Sequence, residues 1–329
     1  MRRPLLTLLL VAAVPLTVVL AVRFGPQPLT GSQVLAALLG EGPDSTVLIV
    51  RRLRLPRVLL ALWVGGGLAL AGATFQALLR NPLAEPYILG ISGGAAAGAV
   101  AVLSLGLAAT ATWALPLAAF AGALVAIVLV FRVASAADRR LDVRVLLLAG
   151  VVVGAFFTAV VAFLLSVSEA RQVQDAVLWM MGDLTDADWG DVAVAAAYTL
   201  PAGLLLVGLA RPLNVMAIGE ETAFYLGTDA ERVKRLAFGV ASLVTAAGVA
   251  VAGVIGFVGL VVPHGIRILV GSDHRWLLPL SFLAGAVFLA LADVLAQVVL
   301  RPAVIPVGVV TAFVGVPLFL VLLRRTLTR

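Results

Sequence analysis

The sequence has no cysteine, one lysine (Lys234) and two histidines, His264 and His274. Disulfides, thiolate metal sites and cysteine nucleophiles are thereby excluded. No H-E-x-x-H zinc signature occurs. The single lysine follows Val233 rather than glycine, so the chain has no G-x-x-x-x-G-K-[ST] loop in which to cradle nucleotide phosphates. Charge is also scarce, at 12% of residues, against about 25% in a soluble domain. In its place stand 62% hydrophobic residues and a mean hydropathy of +1.15. A water-soluble chain of 329 residues has no core large enough to hide that surface. The chain reads as a polytopic, all-α membrane protein. Its formal charge of +6 is then a matter of topology rather than of nucleic-acid binding.

A spanning helix needs roughly 17–25 largely apolar residues. Candidate spans run about 5–22, 55–76, 87–108, 113–133, 145–167, 191–210, 236–255, 257–270, 277–297 and 306–323. Gly253 and Gly256 separate the seventh from the short eighth. With the N-terminus inside, the outer segments hold Arg23, Arg51, Arg52, Arg54, Arg57, Arg171 and Arg301. The remaining sixteen of the 23 basic residues, Arg139 and Arg140 among them, fall inside. This is the asymmetry of the positive-inside rule, and it puts both termini in the cytoplasm. Arg2 and Arg3 before an apolar run also fit a signal peptide, here expected to be kept as the first span.

Three connecting segments are too long or too polar to be plain loops. Residues 24–53 carry Pro26, Pro28, Gly40, Gly42 and Pro43 and lead into a basic run. Residues 168–190 suggest a short interfacial helix followed by a re-entry. Residues 211–235 are the most polar stretch. There Gly219 and Gly227 bracket a short helix at 220–226, and a second short helix is expected near Asp229. Two such helices suit a docking platform for a cytoplasmic partner, with a solvated loop as the alternative. Ten spans allow an inverted repeat of spans two to five and seven to ten. A weak echo at an offset of 181 pairs Gly72 with Gly253 and Gly90 with Gly271. Apart from Asp191 at the very start of the sixth, Asp293 is the one acid inside a span, suited either to function or to a structural hydrogen bond. So few buried ionisable groups point to energy supplied by a partner.

Residues 72–98, GATFQALLRNPLAEPYILGISGGAAAG, resemble the FecCD family, the membrane subunits of type II ABC importers for iron–siderophores, haem and vitamin B12. The likeness continues through RLRLPR (52–57), VLLLAGV (145–151), WMMGDLTDADW (179–189) and residues 213–235, and ends with 253–286 and 305–323. It implies a single permease domain over residues 1–329, about ten transmembrane helices like those of the vitamin B12 permease, and a location in the cytoplasmic (inner) membrane. Its implied partners are a second copy of the chain, two ATP-binding cassette subunits and an extracytoplasmic substrate-binding protein. No cofactor belongs to the chain itself, since ATP and magnesium sit on the ATPase. The chain is then no enzyme.

The resemblance also implies roles. Gly219, Glu220, Glu221, Leu226 and Gly227 would seat in the ATPase as coupling helices. Asn81 and Leu83, in the elbow held by Pro82 and Pro86, would form a cytoplasmic gate with Val143 and Arg144. Arg54 and Arg57 would pair with acids of the binding protein, where Arg holds a carboxylate bidentately. Gln297 and Val304 depart from the family's arginine and glutamate, and Arg301 is the expected substitute. Independently of the resemblance, a bulky chelate needs a slippery passage more than a tight site. The pathway is therefore expected to be lined by small and apolar side chains, Gly150, Gly154, Thr158, Thr311 and Gly315 among them. The reading is thus a homodimeric ABC importer permease for a bulky metal chelate. Its rivals are a secondary carrier or channel without an ATPase, and a membrane hydrolase using Ser92 of the G-x-S-x-G match at 90–94.

Overall fold

The computed structural model describes residues 2–109, 111, 113–137 and 142–327; Arg139 and Arg140 lie outside these. Among the described residues there are fifteen α-helices and no strand. They are α1 (Arg2–Arg23), α2 (Gly31–Leu39), α3 (Asp44–Leu48), α4 (Leu55–Leu78), α5 (Ile91–Ser104), α6 (Ala114–Ala137), α7 (Val143–Ser166), α8 (Ala170–Met180) and α9 (Trp189–Gly208). There follow α10 (Ala210–Ile218), α11 (Glu220–Tyr225), α12 (Ala230–Ala252), α13 (Val258–Val270), α14 (His274–Val298) and α15 (Val307–Leu327). Seven helices are long and apolar enough to cross a membrane, and α5, α13 and α15 supply three shorter apolar ones. These ten match the ten candidate spans, and the seventh and eighth are separate helices.

Local chemistry sets the boundaries. Thr30 and Gln33 form a capping box at α2, and Asp188 and Asp191 form one at α9. Asp142, Asp229 and Asp273 each cap a helix by accepting a backbone N–H from the first turn. Gly253 takes φ 66° and ends α12, a conformation that costs glycine nothing. The basic run leading into the second span is helical, because α3 continues through a π-helical turn (Ile49–Arg54) into α4.

The hub is α4, with 83% of its apolar window buried against 17% for α1. Close packing there depends on missing side chains. A Cβ at Gly72 would strike the Gly259 carbonyl, and one at Gly65 the Gly285 carbonyl. Small residues of this kind let membrane helices approach closely. The pairings repeat: α4 packs on α14 as α12 packs on α6, α5 on α6 as α13 on α14, and α5 on α7 as α13 on α15. That relates α4–α7 to α12–α15, the expected inverted repeat. The echo at offset 181 does not follow it, since Gly72 lies mid-helix in α4 while Gly253 lies beyond α12. The equivalent starts are those of α5 and α13, each entered through a left-handed residue, Gly90 (φ 75°) and Phe257 (φ 69°).

Candidate functional site

The polar segment after α9 is more helical than its composition suggests. Residues 210–218 form α10, and the second short helix expected near Asp229 is the first turn of α12. Between them α11 ends in a Schellman motif. The Thr228 N–H donates to the Ala223 carbonyl at 2.8 Å and the Gly227 N–H to the Phe224 carbonyl at 3.0 Å, with Gly227 at φ 75°. Ala223 is buried, but Phe224 is 76% and Tyr225 79% exposed, and Ile218 and Leu226 are exposed beside them. Glu221 is exposed on the same helix. Four large apolar side chains around one short, rigidly capped helix form a contact face.

The elbow after α4 holds itself together. Asn81 Oδ1 accepts the Leu83 N–H at 2.9 Å, and the Asn81 carbonyl accepts the Ala84 N–H at 3.0 Å. Leu83 is left 37% exposed. Arg80, just before the turn, takes φ 48°. Val143 is half-buried and Arg144 exposed at the start of α7, the Arg144 N–H donating to Asp142 Oδ1 at 2.7 Å. Farther along α7, the Gly150 backbone lies against Ile88 and Leu89 of the same elbow.

Two residues that had no role in the sequence reading clamp the elbow to the start of α13. Glu85 Oε1 accepts the Phe257 N–H at 2.7 Å, and the Tyr87 hydroxyl accepts the Ile255 N–H at 3.1 Å. A left-handed phenylalanine is a strained conformer that its surroundings must hold. Glu85 holds it from one side, and Gly315 leaves the room on the other, where a Cβ would come within 2.6 Å of the Phe257 Cβ. Burial pushes the Glu85 carboxyl above the usual carboxylate range, while the bond from Phe257 pulls it back. Gln76 ties in α4: its amide nitrogen donates to the Leu260 carbonyl at 3.2 Å, and its oxygen accepts from Arg267 at 3.0 Å. Glu85 and Tyr87 stand inside the quoted RNPLAEPYILG run, but their partners lie about 170 residues away, beyond any local signal.

At the other end of α4 the arginines differ from expectation. Arg54 is buried, and its guanidinium caps the end of α1, donating to the carbonyls of Val22 at 2.8 Å, Arg23 at 3.2 Å and Gln27. Arg57 is buried too, paired with Asp293 at 2.8 Å, and Gln297 donates to the same carboxylate at 2.7 Å. Neither is a free docking arginine, because each is consumed by the fold. Asp293 takes the structural alternative. Of the outer arginines, Arg23, Arg51, Arg52, Arg171 and Arg301 are exposed, with Arg51 donating to the Leu38 carbonyl at 2.6 Å. The segment after α8 turns inward as expected, the Asp183 N–H reaching the Ala252 carbonyl at 3.0 Å and Leu184 becoming buried.

The pathway set is corrected in the same way. Gly150, Thr311 and Gly315 are buried packing positions. Gly150 accommodates Leu89, Gly315 accommodates Phe257, and the Thr311 hydroxyl turns back to the Gly308 carbonyl at 3.0 Å. Thr158 is exposed and Gly154 half-exposed on α7. On α15 the open face belongs to Phe313, Val316 and Pro317, which with Met180, Met181 and Val254 line an apolar groove of about 550 Å³. The small residues expected to line the pathway on α15 instead serve close packing within the subunit.

No cluster of metal-ligating side chains occurs among the described residues. His274 faces Asn214 and His264 lies beside the Phe319 ring, so neither histidine partners Ser92 in a triad.

Known proteins share this architecture. The chain is 45% identical over 282 residues to the cobalamin import system permease of Halobacterium salinarum, covering 86% of this chain and 75% of that one. It is 42% identical over 282 residues to the hemin transport system permease of Yersinia pestis, covering 83% and 82%. A solved ABC transporter assigned to the metal-chelate type, in an inward-facing conformation, superposes with a TM-score of 0.88 at 29% identity, over 98% of this chain and 99% of that one. Residues 10–325 match the FecCD transport family, and the chain belongs to it.

Proposed function

We propose that the chain is the permease subunit of an ABC importer for a bulky metal chelate, of the iron(III)–siderophore, haem or cobalamin kind. It works as a homodimer in the cytoplasmic membrane with both termini inside. ATP is hydrolysed on two separate subunits that dock on α11, and an extracytoplasmic binding protein delivers the cargo. One observation carries the reading: Ile218, Phe224, Tyr225 and Leu226 are exposed around a helix fixed by its Schellman cap. A sequence without a phosphate-binding loop must obtain ATP-derived work through such a contact. The relatives named for cobalamin and hemin transport support the cargo class.

Co-expression with a Walker-motif ATPase, followed by ATP-driven chelate uptake in proteoliposomes, tests it. Stable co-purification and ATP-dependent uptake are expected. Uptake driven by an ion gradient with no ATPase bound would replace the reading with a secondary carrier, and fluorophosphonate labelling of Ser92 with a hydrolase.

A further inference from the structure

We propose that α10 is a strut relaying movement of α11 to the elbow after α4, with Asn214 as its positioning residue; this rests on α11 being the ATPase-docking helix. Asn214 sits in the middle of α10 and uses both ends of its amide. Its nitrogen donates to Asp273 Oδ1 at 2.7 Å, and its oxygen accepts the His274 backbone N–H at 2.8 Å. The same oxygen lies 2.7 Å from His274 Nδ1. An amide oxygen only accepts, so Nδ1 carries the ring proton in this arrangement. One short side chain thereby fixes α10 to the cap and the first residue of α14.

That end of α14 is itself anchored. Arg275 grips Asp273 at 2.9 Å, and Arg3 approaches the same carboxylate at 3.9 Å while donating to the Val270 carbonyl at 3.2 Å. The Arg275 hydrogen bond holds the Asp273 carboxyl well below its ordinary range. Asp273 therefore stays an acceptor for Asn214 at every physiological pH. Here α10 meets a fixed point built from α1, α13 and α14.

At its far end α10 meets the gate. Arg80 Nη2 donates to the Met216 carbonyl at 3.1 Å, and Arg80 directly precedes Asn81 of the elbow. Met216 is buried and lies two residues before Ile218, where the exposed apolar face begins. Only Gly219 separates α10 from α11. Movement of α11 thus enters α10 at its C-terminal end, turns about the Asn214 anchor and leaves through Arg80. With the anchor gone, α11 still follows the ATPase but the elbow does not.

The absence of cysteine makes the test direct. In the ATPase-bound dimer, spin labels at Thr222→Cys report the α11–α11 separation and labels at Leu83→Cys the elbow–elbow separation. Both should change between the nucleotide-free and ATP-bound states. Asn214→Leu should keep the α11 change, abolish the elbow change and lower chelate uptake per ATP hydrolysed at least about tenfold, with ATPase assembly intact. Arg80→Gln, at an exposed position, should produce the same pattern from the other end. An elbow that never moves in the parent overturns the proposal, as does an elbow response that survives both variants. So does a lower melting temperature with unchanged uptake per ATP. If Asn214→Leu fails to assemble, Arg80→Gln decides alone. Failure of the parent to bind any ATPase is a separate result and removes the docking role of α11 instead.

Discussion

Arg57 closes a bidentate ion pair on Asp293, with nitrogen–oxygen distances of 2.8–3.2 Å, joining the start of α4 to the last turns of α14. Both side chains are almost wholly withdrawn from the surface. Removing one partner of such a pair strands the other charge, at a cost of about 3–5 kcal/mol, whereas replacing both with apolar groups is often neutral. Arg57→Ala and Asp293→Ala should therefore each lower the melting temperature sharply in lipid nanodiscs. The double replacement Arg57→Met with Asp293→Leu should recover most of that loss. Additive losses in the double variant would mean that the two charges act independently.

Docking of the binding protein should depend on Arg52 and Arg301, which are exposed, rather than on the buried pair. Arg52→Glu with Arg301→Glu is expected to weaken docking, more strongly as salt is lowered, because exposed charges are screened over roughly 10 Å at 0.1 M. Arg54→Ala should act differently. It uncaps the α1 carbonyls and should lower thermal stability with no salt dependence. Titrating the binding protein against each variant at two ionic strengths separates these effects.

How much of this was visible in the sequence depends on the range of the signal. A run of some twenty apolar residues announces itself, and so do the glycines that end α12 and cap α11. The pairing of Arg57 with Asp293 spans 236 positions, and no local pattern reports it. Gln297 looked like a lost arginine, yet it completes the hydrogen bonding of Asp293. Glycines on α7 and α15 looked like a slippery lining, but a missing side chain serves close packing as readily. Leu89 against Gly150 and Phe257 against Gly315 show which use applies.

Glu85 should give the elbow a pH dependence. Burial raises its folded pKa above that of the unfolded chain, near 4.3. The native state then favours the protonated form, so this contribution to stability is complete below the unfolded value and is lost as pH rises through the folded one. Glu85→Gln stays neutral and keeps an oxygen for the Phe257 N–H. Melting between pH 4 and 8 should accordingly flatten in Glu85→Gln relative to the parent, with the variant the more stable at neutral pH. Parallel curves would remove Glu85 as the source.

For α11, charge and apolar area should be separable. Glu221→Arg reverses a charge in the proposed ATPase groove, where like charges brought together cost several kcal/mol. Phe224→Ser with Tyr225→Ser deletes exposed apolar surface without touching the buried Ala223. Both should reduce ATPase co-purification by tenfold or more while leaving the permease's own melting temperature within a few degrees. Gly227→Ala, forced into φ 75°, should cost about 1 kcal/mol locally and weaken assembly less.

The elbow supplies the sharpest choice between gate and turn. Pro82 and Pro86 bar helix continuation there, and the turn is closed by Asn81 Oδ1 on the Leu83 N–H. None of these restraints uses the Leu83 side chain, which projects half-open from the turn. In a two-fold dimer the same leucine arrives from both subunits about one axis, so two such side chains can close an opening that neither seals alone. Leu83→Gly removes that bulk and leaves the backbone restraints in place. Passive chelate efflux from proteoliposomes without ATP should rise severalfold, with the melting temperature nearly unchanged. Asn81→Ala makes the contrast, since it opens the turn itself and should lower stability along with tightness. A Leu83→Gly protein that melts early yet holds its cargo would make Leu83 a packing residue, and the gate would have to be sought at Val143 and Arg144.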